Sequence, residues 1–271
     1  MDIVFERRGD GPPLVLLHGI GHRRQGWSPV MDLLAAERDV IAVDLPGFGD
    51  SPPLPPGTPY TMDTVLTILS RTLDDLGLEK PHVAGNSLGG LFALEAADRG
   101  LVSSATALSP AGFFNALELR YAASVLRASR LGARVPDTLL TRLARSPRRR
   151  TAMFGMVYGR PDLMDIEALT GDARAMRDAL GFEPTLRAGR TTRFLGSCAD
   201  VPVTIAWGTK DRLLLRSQAI RAQRRLPHAR FVWLEGCGHV PMSDDPPQVA
   251  GVLLEGSAHP LQGSHPRSAA S

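Results

Sequence analysis

The stretch Gly85-Asn86-Ser87-Leu88-Gly89 has the pattern G-x-S-x-G, in which glycines stand two positions before and after a serine. The apolar run His82–Ala84 precedes it, and the Ala- and Leu-rich segment Leu88–Asp98 follows it. A serine on a sharp turn from a strand into a helix has a strained backbone and an exposed hydroxyl, and small neighbours prevent clashes there. The stretch therefore predicts a strand, a tight turn that carries a nucleophilic serine, and a helix.

Short apolar runs alternate with helical patterns on both sides of this turn. Such a rhythm predicts an α/β fold with a mostly parallel central sheet and helices on both faces. Buried parallel strands are short and apolar throughout, and the first five runs fit that description. The predicted strands are Ile3–Arg7, Leu14–Leu17, Val40–Val43, His82–Ala84, Ala105–Leu108, Val203–Trp207 and Phe231–Leu234.

The alternation is interrupted between residues 112 and 196, where the patterns are helical and no strand is convincing. This segment holds 15 Arg against 8 Asp and Glu, together with many of the aromatic residues. We interpret it as an inserted helical cap on a core formed by residues 1–111 and 197–256. Residues 257–271 are small and polar, which predicts a disordered tail.

A serine hydroxyl needs a base to remove its proton and an acid to orient that base. The base is predicted to be His239, which lies between small residues just after the last predicted strand. The acid is predicted to be Asp211, on the loop that follows the strand ending at Trp207. The order Ser, Asp, His along the chain is the one expected when each residue lies at the carboxyl end of a strand of one sheet.

The segment His18-Gly-Ile-Gly follows the second predicted strand, where a backbone N–H can reach the site as an oxyanion donor. The backbone N–H groups of Ile20 and Leu88 are predicted to form an oxyanion hole. We interpret His18 as a residue that braces the loop by hydrogen bonding, with a second catalytic base as the alternative. Asp44 is a rival for the role of the acid, but it precedes the serine, and we expect it to fix a turn.

Length and composition exclude several classes of function. The chain has 271 residues and a formal net charge of +3, and the scattered arginines do not indicate nucleic-acid binding. Two cysteines and seven histidines without metal-ligand spacing predict no metal site, and no cofactor motif is present. No apolar run approaches the roughly 20 residues that span a bilayer. We expect a cytoplasmic protein without a secretory signal or stable membrane insertion. We expect it to act on a small-molecule substrate and to be able to form a homodimer.

Taken together, these motifs resemble those of the α/β-hydrolase superfamily over about residues 3–255. The motifs that carry the resemblance are His18-Gly-Ile-Gly, Asp44-Leu-Pro-Gly-Phe-Gly-Asp-Ser51, Gly85-Asn-Ser-Leu-Gly-Gly90, Gly208-Thr-Lys-Asp211 and Gly238-His-Val-Pro-Met-Ser-Asp-Asp-Pro246. Within the superfamily, the chain is similar to the capped serine hydrolases of the esterase and meta-cleavage product hydrolase groups. The resemblance implies an α/β-hydrolase fold and a cofactor-free serine hydrolase.

The aromatic and methionine side chains of the insertion favour a hydrophobic acyl or aromatic substrate. The residues predicted to contact it are Gly19, Phe113, Phe154, Tyr158 and Val240. The leading hypothesis is hydrolysis of a carboxylic ester or related acyl bond. One alternative is a carbon–carbon bond hydrolase or a natural-product tailoring hydrolase with the same triad. The other alternative, from a different class, is a ligand receptor that retains a slow triad.

Overall fold

A computed structural model describes residues 3–258 of the chain, which form seven strands in one sheet. The order of the strands across the sheet is β1-β3-β2-β4-β5-β6-β7. All neighbouring pairs are parallel except β1 and β3, which are antiparallel. The strands are β1 (Phe5–Arg8), β2 (Pro13–Leu17), β3 (Asp39–Val43), β4 (His82–Asn86), β5 (Ser104–Leu108), β6 (Val203–Gly208) and β7 (Arg230–Leu234).

The mostly parallel α/β sheet predicted from the sequence is confirmed, and one strand differs from the expectation. β1 is antiparallel and half exposed, whereas we expected a buried parallel strand there. The exposure follows from its position at the edge of the sheet, where Phe5 and Arg7 are exposed to water. In contrast, every residue of β3, β4, β5 and β6 is buried.

Alternate residues of the central strands pack into two different apolar clusters. Val15 and Leu17 belong to one cluster, and Leu14 and Leu16 belong to the other. Because successive side chains of a strand point to opposite faces, the sheet has a core on each face. The helices that cover these faces and connect the strands are α1 (Ser28–Ala35), α2 (Met62–Asp75), α3 (Leu88–Asp98), α9 (Arg216–Arg225), α10 (Pro241–Asp244) and α11 (Pro246–Gly256).

Five further helices lie between β5 and β6, and we refer to them as the inserted helices. They are α4 (Ala116–Gly132), α5 (Asp137–Ala144), α6 (Pro147–Phe154), α7 (Ile166–Asp178) and α8 (Phe182–Ala188). The first of them begins with a capping box, in which the Asn115 side chain accepts from the Glu118 backbone N–H and the Glu118 side chain accepts from the Asn115 backbone N–H. This pair satisfies two of the backbone donors that a helix leaves free at its start.

The end of the described chain is attached to the core. Ser257, the first residue of the predicted tail, is buried, and its hydroxyl accepts from Nε of Arg38 at 3.0 Å. The rest of the predicted tail, apart from Ala258, lies outside the described residues. Within residues 3–258, none of the helices has the length and apolar character required to cross a membrane.

Parallel strands place their carboxyl ends along one edge of the sheet, and the loops at that edge carry the motifs found in the sequence. Ser87 directly follows β4, and the segment from Gly19 follows β2. Asp211 follows β6, and His239 follows β7. The fold therefore gathers residues that are up to 220 positions apart at one edge.

Candidate active site

Ser87 occupies a strained turn between β4 and α3. Its backbone angles are φ 56° and ψ −111°, in the left-handed region that residues with a side chain rarely adopt. The turn depends on glycine, because a Cβ atom on Gly85 would lie 2.1 Å from the carbonyl oxygen of Gly89. The Ser87 N–H donates to the carbonyl oxygen of Leu108 at 2.9 Å, which fixes the turn to β5.

His239 and Asp211 form a buried hydrogen-bonded pair. Nδ1 of His239 donates to Oδ2 of Asp211 at 2.8 Å, and both side chains are almost completely buried. The other carboxylate oxygen, Oδ1, accepts from the backbone N–H groups of Leu213 at 2.9 Å and Leu214 at 2.8 Å. Asp211 is thus held from two sides, and it fixes the imidazole so that Nε2 is the nitrogen left for chemistry.

The backbone of His239 is held by groups from two other parts of the chain. Its N–H donates to the carbonyl oxygen of Val157, in the segment after α6, at 2.7 Å. Its carbonyl oxygen accepts from the side-chain amide of Asn86 at 2.8 Å. Asn86 stands beside Ser87, so one residue of the G-x-S-x-G stretch directly positions the histidine loop.

Asp244 connects the histidine loop to the inserted helices. Its carboxylate accepts from the backbone N–H groups of Gly238 at 2.7 Å, Gly159 at 2.8 Å and Arg160 at 2.8 Å. Burial raises the pKa of this carboxyl group, and the three hydrogen bonds oppose that effect. No local signal in the sequence predicts this role, since Asp244 stands next to Asp245, which precedes a proline and caps α11.

Replacing Asp244 by asparagine is expected to lower both stability and kcat. An amide has one acceptor oxygen, so at least one buried N–H loses its partner, which costs about 1–3 kcal/mol of unfolding free energy. The loosened loop then holds His239 less well, and we expect kcat to fall at least about tenfold with little change in KM. Thermal unfolding measures the first effect, and steady-state kinetics measure the second.

Asp245→Asn is the matched control for that variant. Asp245 caps α11 by accepting from the N–H of Gln248, and asparagine caps helices about as well as aspartate. We expect this variant to behave like the wild type. Equal kcat values for Asp244→Asn and Asp245→Asn would show that the Asp244 contacts do not position the histidine.

The two predicted oxyanion donors belong to residues that line the same cavity as Ser87. The Ile20 N–H takes part in no hydrogen bond among the described residues. Leu88 is the first residue of α3, where the N–H has no acceptor within the helix. Ile20 and Leu88 line a cavity together with Ser87, and their role as oxyanion donors stays a prediction.

His18 and Asp44 have the bracing contacts that we expected of them. Nδ1 of His18 lies 2.7 Å from the carbonyl oxygen of Gly19, and Nε2 accepts from the N–H of Leu45 at 3.0 Å. Burial lowers the pKa of this imidazole to about 4, which keeps the ring neutral. Asp44 accepts from the backbone N–H of Arg24 at 2.6 Å and of Asp50 at 2.9 Å, so it fixes its turn.

Two cavities meet at Ser87. The larger has a volume of about 640 Å³ and is also lined by Gly19, His239 and Val240. Phe154 and Tyr158 of the inserted segment contribute to its wall. The smaller, of about 100 Å³, is lined almost entirely by apolar side chains. Ile20, Ser87, Leu126 and Leu213 line both cavities.

Of the predicted substrate contacts, Phe113 alone is not placed at a cavity. Its ring packs against Phe194, with the ring centroids 5.8 Å apart, and is buried in the core. The neighbouring Phe114 lines the smaller cavity instead. The sequence analysis also missed His22, Leu126, Leu213 and Asp172, which line the larger cavity, because their positions depend on how the inserted helices pack on the core.

The site contains no obvious place for a metal. Among residues 3–258, no three side chains of His, Cys, Asp or Glu converge in an arrangement that could hold an ion. Cys237, close to His239 in the sequence, is buried, and burial raises the pKa of its thiol to about 12.

Comparison with known proteins identifies the family to which the chain belongs. The family model described as the alpha/beta hydrolase family matches residues 14–252. A pimeloyl-[acyl-carrier protein] methyl ester esterase from Aeromonas hydrophila is 28% identical and covers 93% of this chain and 98% of its own length. Among solved structures, a membrane phospholipase A described as a bacterial virulence factor has a TM-score of 0.74 at 25% identity, covering 95% of this chain and 84% of that chain.

A meta-cleavage product hydrolase from Pseudomonas fluorescens IP01 has the same fold. Its TM-score is 0.70 at 20% identity, and the match covers 93% of each chain. Since the family model matches most of its length, the chain belongs to the α/β-hydrolase family, and it is a hydrolase.

Proposed function

We propose that this protein is a serine hydrolase that cleaves a carboxylic ester of a hydrophobic small molecule through an acyl-enzyme. One observation carries the proposal. Ser87, on its strained turn, and His239, which is hydrogen-bonded to Asp211, line the same cavity. A nucleophile, a base and an orienting acid in this arrangement are what covalent acyl transfer requires.

In the proposed reaction, Oγ of Ser87 attacks the ester carbonyl carbon while Nε2 of His239 takes the hydroxyl proton. Asp211 stabilises the imidazolium that forms. The N–H groups of Ile20 and Leu88 donate to the negative oxygen of the tetrahedral intermediate. Collapse of the intermediate breaks the ester bond, and His239 gives its proton to the departing alcohol. Water, activated by the same histidine, then hydrolyses the acyl-enzyme and restores Ser87.

The shape of the site supports a substrate with apolar groups of unequal size on the two sides of the ester. The smaller cavity accepts a short apolar group, and the larger one has room for a longer chain or a ring. Residues 112–196, which hold the inserted helices, are proposed to be the cap that selects the substrate, since Leu126, Phe154 and Tyr158 line these walls.

The comparisons support the choice of an ester. The Aeromonas relative is named as a methyl ester esterase, and the phospholipase A also belongs to the ester hydrolases by its name. The likeness to the meta-cleavage product hydrolase, at 20% identity, concerns the fold alone. Carbon–carbon bond cleavage is therefore the second candidate.

A series of p-nitrophenyl esters from acetate to octanoate tests the proposal. We expect the wild type to turn over these esters, with an optimum above the acetate because longer chains bury more apolar surface in the cavity. Absence of turnover across the series would contradict ester hydrolysis. In that case, turnover of a vinylogous diketone would select carbon–carbon cleavage, and tight ligand binding without turnover would select a receptor.

A further inference from the structure

The wall of the larger cavity carries a polar cluster that the proposed reaction does not use. His22, Tyr158 and Asp172 line the cavity together, and all three are nearly buried. His22 comes from the core loop after β2, whereas Asp172 lies on α7 and Tyr158 in the segment after α6. We call these three residues the His22 cluster.

The proton of Tyr158 and the carboxylate of Asp172 are already engaged with each other. The Tyr158 hydroxyl donates to Oδ2 of Asp172 at 2.6 Å. Nε2 of His22 lies 3.6 Å from the same oxygen, which is beyond hydrogen-bonding distance. Nε2 is buried and has no hydrogen-bond partner among the described residues. His22 lines the cavity, and a buried imidazole nitrogen without a hydrogen-bond partner is a group that gains a hydrogen bond from a ligand that reaches it.

The Asp172 carboxylate makes the His22 imidazole easier to protonate. Burial opposes protonation of His22, but the Asp172 carboxylate raises the imidazole pKa above its ordinary value. Burial likewise opposes ionisation of Asp172, whereas His22 and the Tyr158 hydroxyl hold the carboxyl pKa below its ordinary value. The neighbouring guanidinium of Arg23 also lies against α7, because a Cβ atom on Gly171 would be 2.3 Å from its Nη2. The Asp172 carboxylate therefore has two basic side chains, His22 and Arg23, as neighbours.

The ring of His22 is held in place by its own loop. Nδ1 lies 3.2 Å from the carbonyl oxygen of Arg23. The ring also fills the space above Gly26, where a Cβ atom would be 2.0 Å from Cε1 of the imidazole. The orientation of the imidazole is consequently fixed by residues 22–26.

We propose that His22 is a specificity residue whose Nε2–H binds a second oxygen of the substrate, a carbonyl or carboxylate oxygen distant from the ester that Ser87 attacks. The proposal rests on the proposed function and narrows its substrate class. A purely alkyl chain leaves the buried donor unsatisfied, whereas an oxygen at the matching position satisfies it. The preferred substrate is therefore an ester whose hydrophobic chain ends in, or carries, an oxo or carboxylate group.

Three chain-matched methyl esters test this inference: methyl octanoate, methyl 7-oxooctanoate and the monomethyl ester of octanedioic acid. Each is also made with shorter and longer chains, and methanol release gives kcat/KM. At the best length, we expect the wild type to prefer an oxygen-bearing ester over the alkyl ester by about 10- to 100-fold, the usual effect of a hydrogen bond to a charged donor. Comparison of the oxo ester with the carboxylate ester shows whether the preferred oxygen belongs to a carbonyl group or to a carboxylate group.

In His22→Leu, we expect the ratio of kcat/KM for the oxygen-bearing ester to kcat/KM for the alkyl ester to fall close to one. His22→Gln keeps a donor, and we expect it to retain part of the preference. Because the ratio is taken within each variant, a general loss of activity cancels. Gly26→Ala provides a second variant, since its methyl group displaces the imidazole while leaving His22 in the chain. A ratio near one in the wild type at every length, or a ratio unchanged by His22→Leu, would overturn the inference.

Binding to Ser87→Ala separates this inference from the proposed function. Calorimetry with the same esters requires no turnover, and we expect tighter binding of an oxygen-bearing ester by a similar factor. Failure of the wild type to hydrolyse any ester, combined with this binding preference, would contradict the proposed function alone. Equal binding of all three ester types would contradict the inference, whatever the activity.

Discussion

Replacing Ser87 by alanine is expected to lower kcat for p-nitrophenyl butyrate by about 10⁴- to 10⁶-fold. Removing the nucleophile of a Ser-His-Asp site leaves only the catalysis that comes from the oxyanion donors and from substrate binding. KM changes little, because the side chain that is lost is a single hydroxyl on a cavity wall that otherwise remains. Fixed-time assays at high enzyme concentration measure the residual rate of Ser87→Ala.

Ser109→Ala is the matched control for this prediction. Ser109 also has a left-handed backbone (φ 41°) at the end of the neighbouring strand β5, and its Oγ is buried without a partner among the described residues. It is not among the residues that line the two cavities. We expect wild-type kcat for this variant. Substantial turnover by Ser87→Ala would exclude Ser87 as the nucleophile.

Replacing Asp211 by asparagine is expected to lower kcat by about 10⁴-fold without disturbing the fold. Two backbone N–H groups, from Leu213 and Leu214, donate to Oδ1 of Asp211. An asparagine must therefore turn its carbonyl oxygen toward them and its NH₂ group toward His239. The NH₂ group can only donate, so Nδ1 of His239 becomes an acceptor and the ring proton moves to Nε2. The imidazole then has no lone pair for the proton of Ser87.

Nitrogen NMR of the His239 ring gives an independent reading of that prediction. In the wild type, we expect the neutral imidazole to carry its proton on Nδ1, which donates to Asp211. In Asp211→Asn, the proton is expected on Nε2, with an unchanged thermal midpoint. A variant that keeps Nδ1–H and nevertheless loses activity would show that Asp211 acts in another way than by fixing the tautomer.

The sequence predicts the sheet of this protein well because its strands and turns have local signals. Buried parallel strands are short apolar runs, and all seven predicted strands lie within two residues of the observed bounds. The turn at Ser87 requires glycine at nearby positions, and this requirement is visible in the sequence. Only β1 departs from the expectation, since position at a sheet edge depends on the complete strand order.

Other parts of the cavity walls could not be predicted in the same way. Asp172 and His22 are 150 positions apart, and they meet because α7 packs on the loop after β2. Nothing local marks either residue as a neighbour of the other. Phe113 and Phe114 show the same limit, because adjacent rings with equal hydrophobicity have opposite roles, one in the core and one at a cavity.

Reaction with diethyl p-nitrophenyl phosphate tests the central claim most directly. This reagent phosphorylates a serine that an adjacent base activates, and peptide mass spectrometry locates the modified residue. We predict one diethylphosphoryl group per chain, on Ser87, with loss of ester hydrolysis in proportion to labelling and with no labelling of Ser87→Ala. Full activity in an unlabelled protein, or a label on another residue that accounts for the inactivation, would contradict the account.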